Sequence, residues 1–289
     1  MSGPFRKTAS IVDKQFLPGS ERNEILSIEL SLDGFSFAIL DPRHFRYLML
    51  ESYQYEPGIP AADFPGHLER FISDYPLLLG SFERISVAWF QPQFTLVPAD
   101  LFLHSGRDSY HHFTGDIPQG YELKTDKLNN LGAYGLYPFP EMIRKRIEFL
   151  YPSHRVRHTA TVLIENLLSA LRLGEDKTDL VLYIHKGHFE FLLFEGDRLV
   201  FYNSFAYKAF DDLLYFLFFV LEQFQLDPHK LEALLAGEIS LDAKEYDYLA
   251  QYFKKTGFVG RSDVYKYGPE FDDIPHHTFF NLLHLNTCG

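Results

Sequence analysis

The stretch LSIELSLDGFSFAIL, residues 26–40, decides the fold class. Its first half alternates apolar and polar residues, which is the period-two pattern of a β-strand with one buried face. Asp33-Gly34 interrupts this pattern, and Asp-Gly between two alternating runs favours a tight hairpin turn. A second strand over 35–40 follows. The segment therefore predicts a β-hairpin.

The elements that follow this hairpin complete a first unit. A turn at Asp41-Pro42 leads into a third strand over 47–55. The apolar residues of 64–75 then recur at the spacing of an amphipathic helix. A fourth strand is predicted over 85–90. The order of this unit is strand, strand, strand, helix, strand.

The same order recurs in the second part of the chain. LVLYIHKGHFEFLLF, residues 180–194, predicts a strand, a glycine turn and a second strand. The elements predicted after it are a strand over 199–205, a helix over 211–225, a short strand over 231–236 and a helix around 246–253. A shift of 154 positions, without a gap, places Leu26 on Leu180, Phe35 on Phe189 and Phe37 on Phe191. The recurrence indicates an internal duplication. We predict an α/β protein of two similar halves that flank a cleft.

The remaining residues extend this organisation. Between the two units we predict a strand passing into a short helix over 94–102, an exposed polar loop over 104–120, a strand over 133–137, a helix over 140–150, a strand over 155–158 and a helix over 160–171. The last 30 residues are too apolar for a free tail and are expected to pack as a strand or as a partner-facing arm. The predicted division is an N-terminal arm over 1–24, a first half over 25–178, and a second half with its C-terminal arm over 179–289.

Composition and charge restrict the function. With 27 Lys and Arg against 39 Asp and Glu, the net charge of −12 repels nucleic acid and anionic lipid. The longest apolar run, 213–221, is too short to cross a bilayer and is predicted to be a core helix between two sheets. One cysteine excludes an intrachain disulfide, and the N-terminus has no apolar leader, so we expect a cytoplasmic protein without membrane insertion. The 29 Phe and 18 Tyr favour a sheet-rich interior or a surface for protein association.

This twice-repeated order of three strands, helix and strand resembles the actin-like ATPase superfamily, whose halves have a ribonuclease H-like fold. The section between the two units is most similar to the pilus-assembly and cell-division branch. The whole chain, with LVPADLF at 96–102 and FFNLLHLNTCG at 279–289, resembles a family of uncharacterised proteins from Bacteroides-type bacteria to which this fold is assigned. The resemblance implies a duplicated actin-like fold.

The resemblance also implies where a nucleotide would bind. In active members, the first hairpin of each half presents a D-x-G-type turn to the phosphates, carboxylates hold Mg²⁺, and a loop with a glycine pair holds the adenosine. The corresponding residues are Glu29, Ser31, Asp33 and Gly34 in the first hairpin, Lys186 and Gly187 in the second, and Gly237 in the adenosine loop. Ser31 replaces the expected glycine, the second hairpin lacks its carboxylate, and one glycine stands where two are usual.

Two functions follow from this incomplete set. The favoured hypothesis is a non-catalytic, degenerate actin-like protein that serves as a binding or scaffold module, whose partner is either another protein or a second copy of itself. The alternative is an ATP-binding protein or slow Mg-dependent ATPase or kinase, with Glu29 or Asp33 on the Mg²⁺ side and Lys186-Gly187 near the phosphates. Cleft geometry discriminates between them: an open cavity faced by both turns favours ATP, and a plug of Phe, Tyr or His opposes it.

Other candidates have weaker patterns. His104, His111 and His112 share a polar segment with two Asp residues, and His276-His277 follows Asp272-Asp273, but neither spacing matches a closed metal site. Neither a Walker A motif nor a G-x-S-x-G or H-E-x-x-H motif occurs. Cys288 is too close to the C-terminus to be expected as a nucleophile. Structural interpretations also stay open: ordinary turns at Asp33-Gly34 and Lys186-Gly187, and a strand-end glycine at Gly237.

Overall fold

The computed structural model describes residues 3–17, 23–56, 61–112, 115–170 and 178–287. Within these residues the strands are β1 (Phe5–Val12), β2 (Ile25–Ser31), β3 (Gly34–Asp41), β4 (Arg46–Tyr55), β5 (Arg84–Trp89), β6 (Thr95–Pro98), β7 (Tyr121–Leu128), β8 (Ala133–Pro140), β9 (His154–His158), β10 (Thr178–His185), β11 (His188–Glu195), β12 (Arg198–Ala206), β13 (Glu232–Gly237) and β14 (Lys255–Phe258). The α-helices are α1 (Phe64–Ser73), α2 (Arg107–His111), α3 (Glu141–Leu150), α4 (Thr159–Ala170), α5 (Phe210–Gln223), α6 (Lys244–Tyr252) and α7 (Phe280–His284).

Two sheets with the same topology organise the molecule. The first has the order β1-β4-β3-β2-β5-β9 and the second the order β12-β11-β10-β13-β14. When β1 is left out and the strands of each sheet are numbered along the chain, both sheets have the order third, second, first, fourth, fifth. In each, the first three strands are antiparallel and the last two are parallel additions. The predicted α/β duplication is therefore confirmed.

The register of the two hairpins preserves the duplication residue by residue. Glu29 on β2 pairs with Ser36 on β3. The residues 154 positions later, Tyr183 on β10 and Glu190 on β11, pair in the same way. A strand's side chains alternate between faces, so an equal register places equivalent residues on equivalent faces of the two sheets. Glu29 and Tyr183 are thus structural counterparts.

A small third sheet, of order β6-β8-β7, is inserted between β5 and β9. The predicted passage from strand to short helix at 94–102 is present as β6 and a 3₁₀ turn at Ala99–Leu101. The segment 104–120 was expected to be an exposed loop, which is wrong in part. It contains a 3₁₀ turn at His104–Gly106 and the short helix α2, whose His111 is fully buried. Apolar packing around Phe102 and Leu123 explains why this polar segment folds.

The central helix α4 joins the two halves. Its residues 159–168 are all buried, because it contacts β5, β7 and β9 of the first half, β12 of the second half, and α7. The largest core cluster accordingly contains Leu26 and Trp89 of the first half together with Tyr183 and Phe194 of the second. One continuous core therefore connects the two sheets.

Three strands were not predicted. Residues 5–12, expected as part of an N-terminal arm, form β1, which pairs antiparallel with β4. The strands β7 and β14 were not predicted either, because both carry lysines that obscure the alternation of apolar and polar residues.

Two predicted packing arrangements are wrong. Among the described C-terminal residues, 260–287, there is neither a strand nor a partner-facing arm, since α7 packs against β2, β3 and α4 inside the molecule. The apolar run 213–221 lies in α5, but this helix does not lie between two sheets. Leu213 and Leu217 are buried, whereas Tyr215 is 64% exposed and Phe219 is 47% exposed. No helix within the described ranges has the length and apolar character needed to cross a membrane.

Candidate functional site

A cavity of about 430 Å³ lies between the two halves and is lined by both hairpin turns. Six of the seven residues predicted for a nucleotide site line it: Glu29, Ser31, Asp33, Gly34, Lys186 and Gly237. The seventh, Gly187, lies in the second turn, one residue beyond Lys186. The internal duplication thus brings the two turns to opposite walls of one cleft.

The protein's own backbone accounts for the glycines in this cavity. A Cβ at Gly34 would lie 2.2 Å from the carbonyl oxygen of Tyr53. At Gly237, where φ is +85°, a Cβ would lie 2.1 Å from the carbonyl oxygen of Ile184. Gly187 has a φ of +77°, which a two-residue turn requires, and a Cβ there would make an ordinary contact with the Tyr207 carbonyl oxygen at 3.8 Å. No ligand is needed to explain any of the three.

The first turn is closed by a side chain. The Ser31 hydroxyl accepts a hydrogen bond from the Asp33 N–H at 3.1 Å and donates to the Gly34 carbonyl at 3.4 Å. A phosphate-binding turn presents its N–H groups to the ligand. Here the Asp33 N–H is already bound by Ser31, which is the residue that replaces the expected glycine.

The second turn carries an aromatic and carboxyl cluster. His185, the counterpart of Ser31, stacks on Phe90 with ring centroids 4.2 Å apart. Its Nε2 lies 3.0 Å from Oε2 of the buried Glu190, and Tyr202 donates to the other oxygen of that carboxylate at 2.7 Å. The Tyr207 hydroxyl donates to the His185 carbonyl at 2.8 Å. These bonds hold the His185 ring at the floor of the cleft.

Glu29 is the most perturbed carboxyl group of the cleft. Its Oε2 is buried without a hydrogen-bond partner. Burial raises the pKa of Glu29 to about 7, with the nearby His185 opposing the rise and Glu190 and Glu238 adding to it. The N–H of Leu282 donates to this carboxyl group and lowers the pKa in part. A part of the Glu29 side chains is therefore protonated at neutral pH, and a neutral carboxyl group is a poor ligand for Mg²⁺.

Acidic groups outnumber basic ones on the cavity walls. Glu29, Asp33 and Glu238 line it together with one ammonium group, that of Lys186. Within the described ranges no group of three or more His, Cys, Asp or Glu side chains is placed to hold a metal ion. The cavity therefore presents a negative, aromatic-floored surface.

The C-terminal segment forms a wall of this cavity that the sequence did not predict. Ile274, Thr278 and Phe279 line it, and Phe279 adopts a left-handed backbone with φ of +58°. The His277 carbonyl accepts the Gly237 N–H at 3.1 Å, which ties the segment to the end of β13. The apolar residues of 279–285 indicated burial, but nothing in their pattern indicated against which half.

The histidine candidates do not converge. His104 is exposed and packs edge-on against Phe102, His111 is buried, and His112 lies 3.4 Å from Asp116 at the surface. In the other pair His277 is buried on the Ile239 carbonyl and stacked on Phe258, whereas its neighbour His276 is exposed. Cys288 lies outside the described residues.

Solved structures with the same fold define the class of this protein. A protein from Bacteroides thetaiotaomicron, described as having an actin-like ATPase fold and unknown function, superposes with a TM-score of 0.81, covers 95% of this chain and 100% of its own, and is 19% identical. A chain of the PilM-PilN type IV pilus biogenesis complex gives a TM-score of 0.65, with 93% and 98% covered and 14% identity. The chain therefore has an actin-like ATPase fold, and the predicted likeness to the pilus-assembly branch is confirmed.

The family follows from the sequence match. Residues 13–256 match the model of DUF3822, a family described as a protein of unknown function, so the chain belongs to the DUF3822 family. No curated protein matches the chain.

Proposed function

We propose that this chain is a non-catalytic actin-like protein of the bacterial cytoplasm that serves as a binding or scaffold module for protein partners. The arrangement at the floor of the cleft carries the proposal. His185 fills the position that an active member leaves to a small residue, and its ring is held there by Phe90 and Glu190. The second turn therefore offers neither the space nor the carboxylate that phosphate and Mg²⁺ require.

Charge supports the same conclusion. A nucleoside triphosphate entering the cavity would meet Glu29, Asp33 and Glu238 with Lys186 as the cation on the walls. Carboxylates help phosphate binding when they hold Mg²⁺ between themselves and the ligand. With the pKa of Glu29 raised to about 7 and Tyr183 at the equivalent position of the other half, this bridging arrangement is incomplete.

A role in protein association has structural support of its own. Large aromatic side chains, which are enriched at protein interfaces, are exposed on α5 and α6 at Tyr215, Phe219 and Tyr248. One protein with this fold is named for a protein complex, PilM-PilN. In our proposal the fold of this chain likewise serves to hold a protein partner.

One observation favours the alternative function, an ATP-binding protein or slow ATPase. Both turns face one cavity, and its volume of about 430 Å³ lies within the range of small-molecule sites. In that case Lys186 would contact phosphate and Glu29 or Asp33 would face Mg²⁺.

Titration with Mg-ATP separates the two functions. A nucleotide at about 100 times its Kd would stabilise the chain by about 2.7 kcal/mol, which thermal unfolding would detect. We expect no shift of the melting temperature with Mg-ATP and no release of phosphate. The matched variants are Glu29→Ala, on the cavity wall, and Asp197→Ala, an exposed carboxylate in the β11–β12 turn.

Two outcomes would contradict the proposal. Hydrolysis that Glu29→Ala abolishes and Asp197→Ala preserves would identify an enzyme. A shift of the melting temperature by Mg-ATP without hydrolysis would identify a nucleotide-binding protein, with Lys186→Ala expected to remove that shift.

A further inference from the structure

The two duplicated halves differ at one sheet edge. In the first half, the third strand β4 is covered along its outer side by β1, which pairs with it antiparallel from Phe5 to Val12. In the second half the equivalent strand, β12, is the last strand of its sheet in the described part of the chain. The position that β1 occupies on β4 therefore has no counterpart on β12 among the described residues.

Hydrogen bonds show which backbone groups of β12 face outward. The Tyr207 N–H donates to the Gly187 carbonyl at 2.9 Å, and the antiparallel register then directs the odd-numbered residues 201–205 toward β11. The even-numbered residues 202–206 direct their N–H groups to the open edge. The Ser204 N–H bonds to the side-chain oxygen of Asn203 at 2.9 Å, which stands in for the carbonyl of a neighbouring strand.

Other sheet edges of the described chain carry the residues that prevent strand addition. Lysine, arginine and proline on an edge strand oppose pairing with another chain. They are Arg6 and Lys7 on β1, Arg155 and Arg157 on β9, Lys255 on β14, Lys124 and Lys127 on β7, and Pro98 on β6. The nine residues of β12 carry one charge, at the first residue, Arg198. Apart from Arg198 its edge lacks these residues, and of the outward N–H groups that of Ser204 is bonded to the side chain of Asn203.

Exposed aromatic residues lie beside this edge. Phe216 of α5 stacks on Phe205 of β12 with ring centroids 5.0 Å apart. Phe218 packs edge-on against Tyr252 of α6 with ring centroids 4.8 Å apart. These contacts place the Phe216 side of α5 toward the open edge and the Phe218 side toward α6. The ring centroid of Tyr215 lies 5.3 Å from that of Phe216 and 6.3 Å from that of Phe219, and Tyr215 and Phe219 are both exposed. An apolar helix face thus continues the unpaired strand.

We propose that a second copy of this chain docks here, with β12 pairing antiparallel to β12 of the partner subunit. A twofold axis perpendicular to the sheet makes such a pairing, joins the two five-stranded sheets into one, and places both α5 helices side by side on the same face. The exposed aromatic pair of each copy, Tyr215 and Phe219, then covers that of the other. This proposal goes beyond the function of the cleft and does not depend on it.

Self-pairing suits the chemistry of this strand. Residues 199–206 carry no charge, so the two identical strands meet without like-charge repulsion. Antiparallel pairing also brings Arg198 at the start of one strand toward the end of the other strand, where Asp211 lies in the acidic first turn of α5. The edge is therefore complementary to itself in hydrogen bonds, apolar surface and charge.

The mass of the full chain in solution tests the proposal. Sedimentation equilibrium is expected to give about twice the chain mass of 33.6 kDa. Ser204→Pro removes an N–H at the open edge and none that faces β11, so it should raise the dimer dissociation constant at least about tenfold, which is 1.4 kcal/mol. Ser204→Ala keeps this N–H and should leave the constant within about twofold.

A second pair of variants keeps the test decisive if Ser204→Pro fails to fold. Phe219→Lys should also raise the dissociation constant at least about tenfold, whereas Phe149→Lys, at a 74% exposed phenylalanine on α3, should not. A wild-type chain that stays monomeric at about 100 μM, a concentration where even a weak dimer would form, overturns the proposal. A dimer that Phe219→Lys leaves intact also overturns the proposal, whether or not Phe149→Lys disrupts that dimer. A heterologous partner captured by a monomeric chain would likewise count against it.

Discussion

Glu29 has the most perturbed carboxyl group of the cleft. Its carboxyl group is desolvated on the interior side of the cavity, where Oε2 has no hydrogen-bond partner. Burial raises its pKa to about 7, so the folded chain binds a proton there that the unfolded chain, with an ordinary carboxyl pKa of 4.5, releases. The position that holds a charged carboxylate in a nucleotide site is thus one where charge is unfavourable in this protein.

A pH dependence of stability follows from this shift. Because the pKa of Glu29 is raised in the folded state, proton binding at Glu29 contributes to the free energy of unfolding. This contribution is present in full below about pH 4.5 and is lost as the pH rises through about 7. Glu29→Gln removes the ionisation, so at pH 8 the variant should be more stable than the wild type by about 3 kcal/mol. Urea unfolding at pH 5 and pH 8 measures the difference.

The control is Asp197→Asn, at an exposed carboxylate, which should change the stability by less than about 0.5 kcal/mol at either pH. A Glu29→Gln variant that is destabilised equally at both pH values would show that Glu29 is held ionised.

Individual residues of the cleft were only partly accessible to prediction. The glycine turns were readable from the sequence, because Asp-Gly between alternating strands and Lys-Gly between apolar strands each define a turn. The stacking of the His185 ring on Phe90 could not be read from the sequence, because these residues are separated by 95 positions and no local pattern links them. The same applies to the perturbed pKa of Glu29, which arises from burial against α7 and from Glu190 and Glu238.

Among the elements, the C-terminal segment differs most from its predicted role. It begins on the second half, where His277 contacts the Ile239 carbonyl and Phe258. It continues into the first half, where Tyr47 donates to the Leu283 carbonyl at 2.7 Å and Asn286 donates to Ser27 at 2.6 Å. One segment therefore connects both sheets.

Two adjacent histidines test this connection. His277→Ala removes a buried ring and its hydrogen bond, and should reduce the free energy of unfolding by about 2–4 kcal/mol. His276→Ala, at the exposed neighbour, should change it by less than about 0.5 kcal/mol. Thermal and urea unfolding measure both, and equal effects would show that the segment contributes little to stability.

Local pattern explains which elements were predictable. Strands such as β2 and β11 alternate or are apolar over their whole length, and amphipathic α1 has a clear period. By contrast β7 reads YELKTDKL, and the five-residue α7 is defined by tertiary packing rather than by its own sequence. Short or charged elements depend on neighbours that are distant in the chain.

At the scale of the whole molecule, the shared core determines how the two halves unfold. The largest cluster of buried residues includes side chains from both sheets, and α4 lies between them. The second half also has a cluster of its own around Leu182 and Leu217, but its inner face, with Tyr183 and Phe194, belongs to the shared core. The halves should therefore unfold as one cooperative unit.

Two probes check this expectation. Trp89, the one tryptophan of the chain, is buried in the first half, so its fluorescence reports that half. Far-ultraviolet circular dichroism reports both halves, and the two urea transitions should coincide. As a control for the probe itself, Phe149→Lys at the surface should leave both midpoints unchanged. Separate midpoints would show that the lobes are independent.

The long-range bond between Asn286 and Ser27 also has a consequence during synthesis. The two residues are separated by 259 positions, so a ribosome adding about 5–20 residues per second emits the second one roughly 13–50 s after the first. Throughout that interval the nascent first lobe lacks the helix that packs on β2 and β3, and Ile25 and Leu40 stay uncovered. Chaperones that bind exposed apolar strands would therefore bind this nascent lobe until α7 docks.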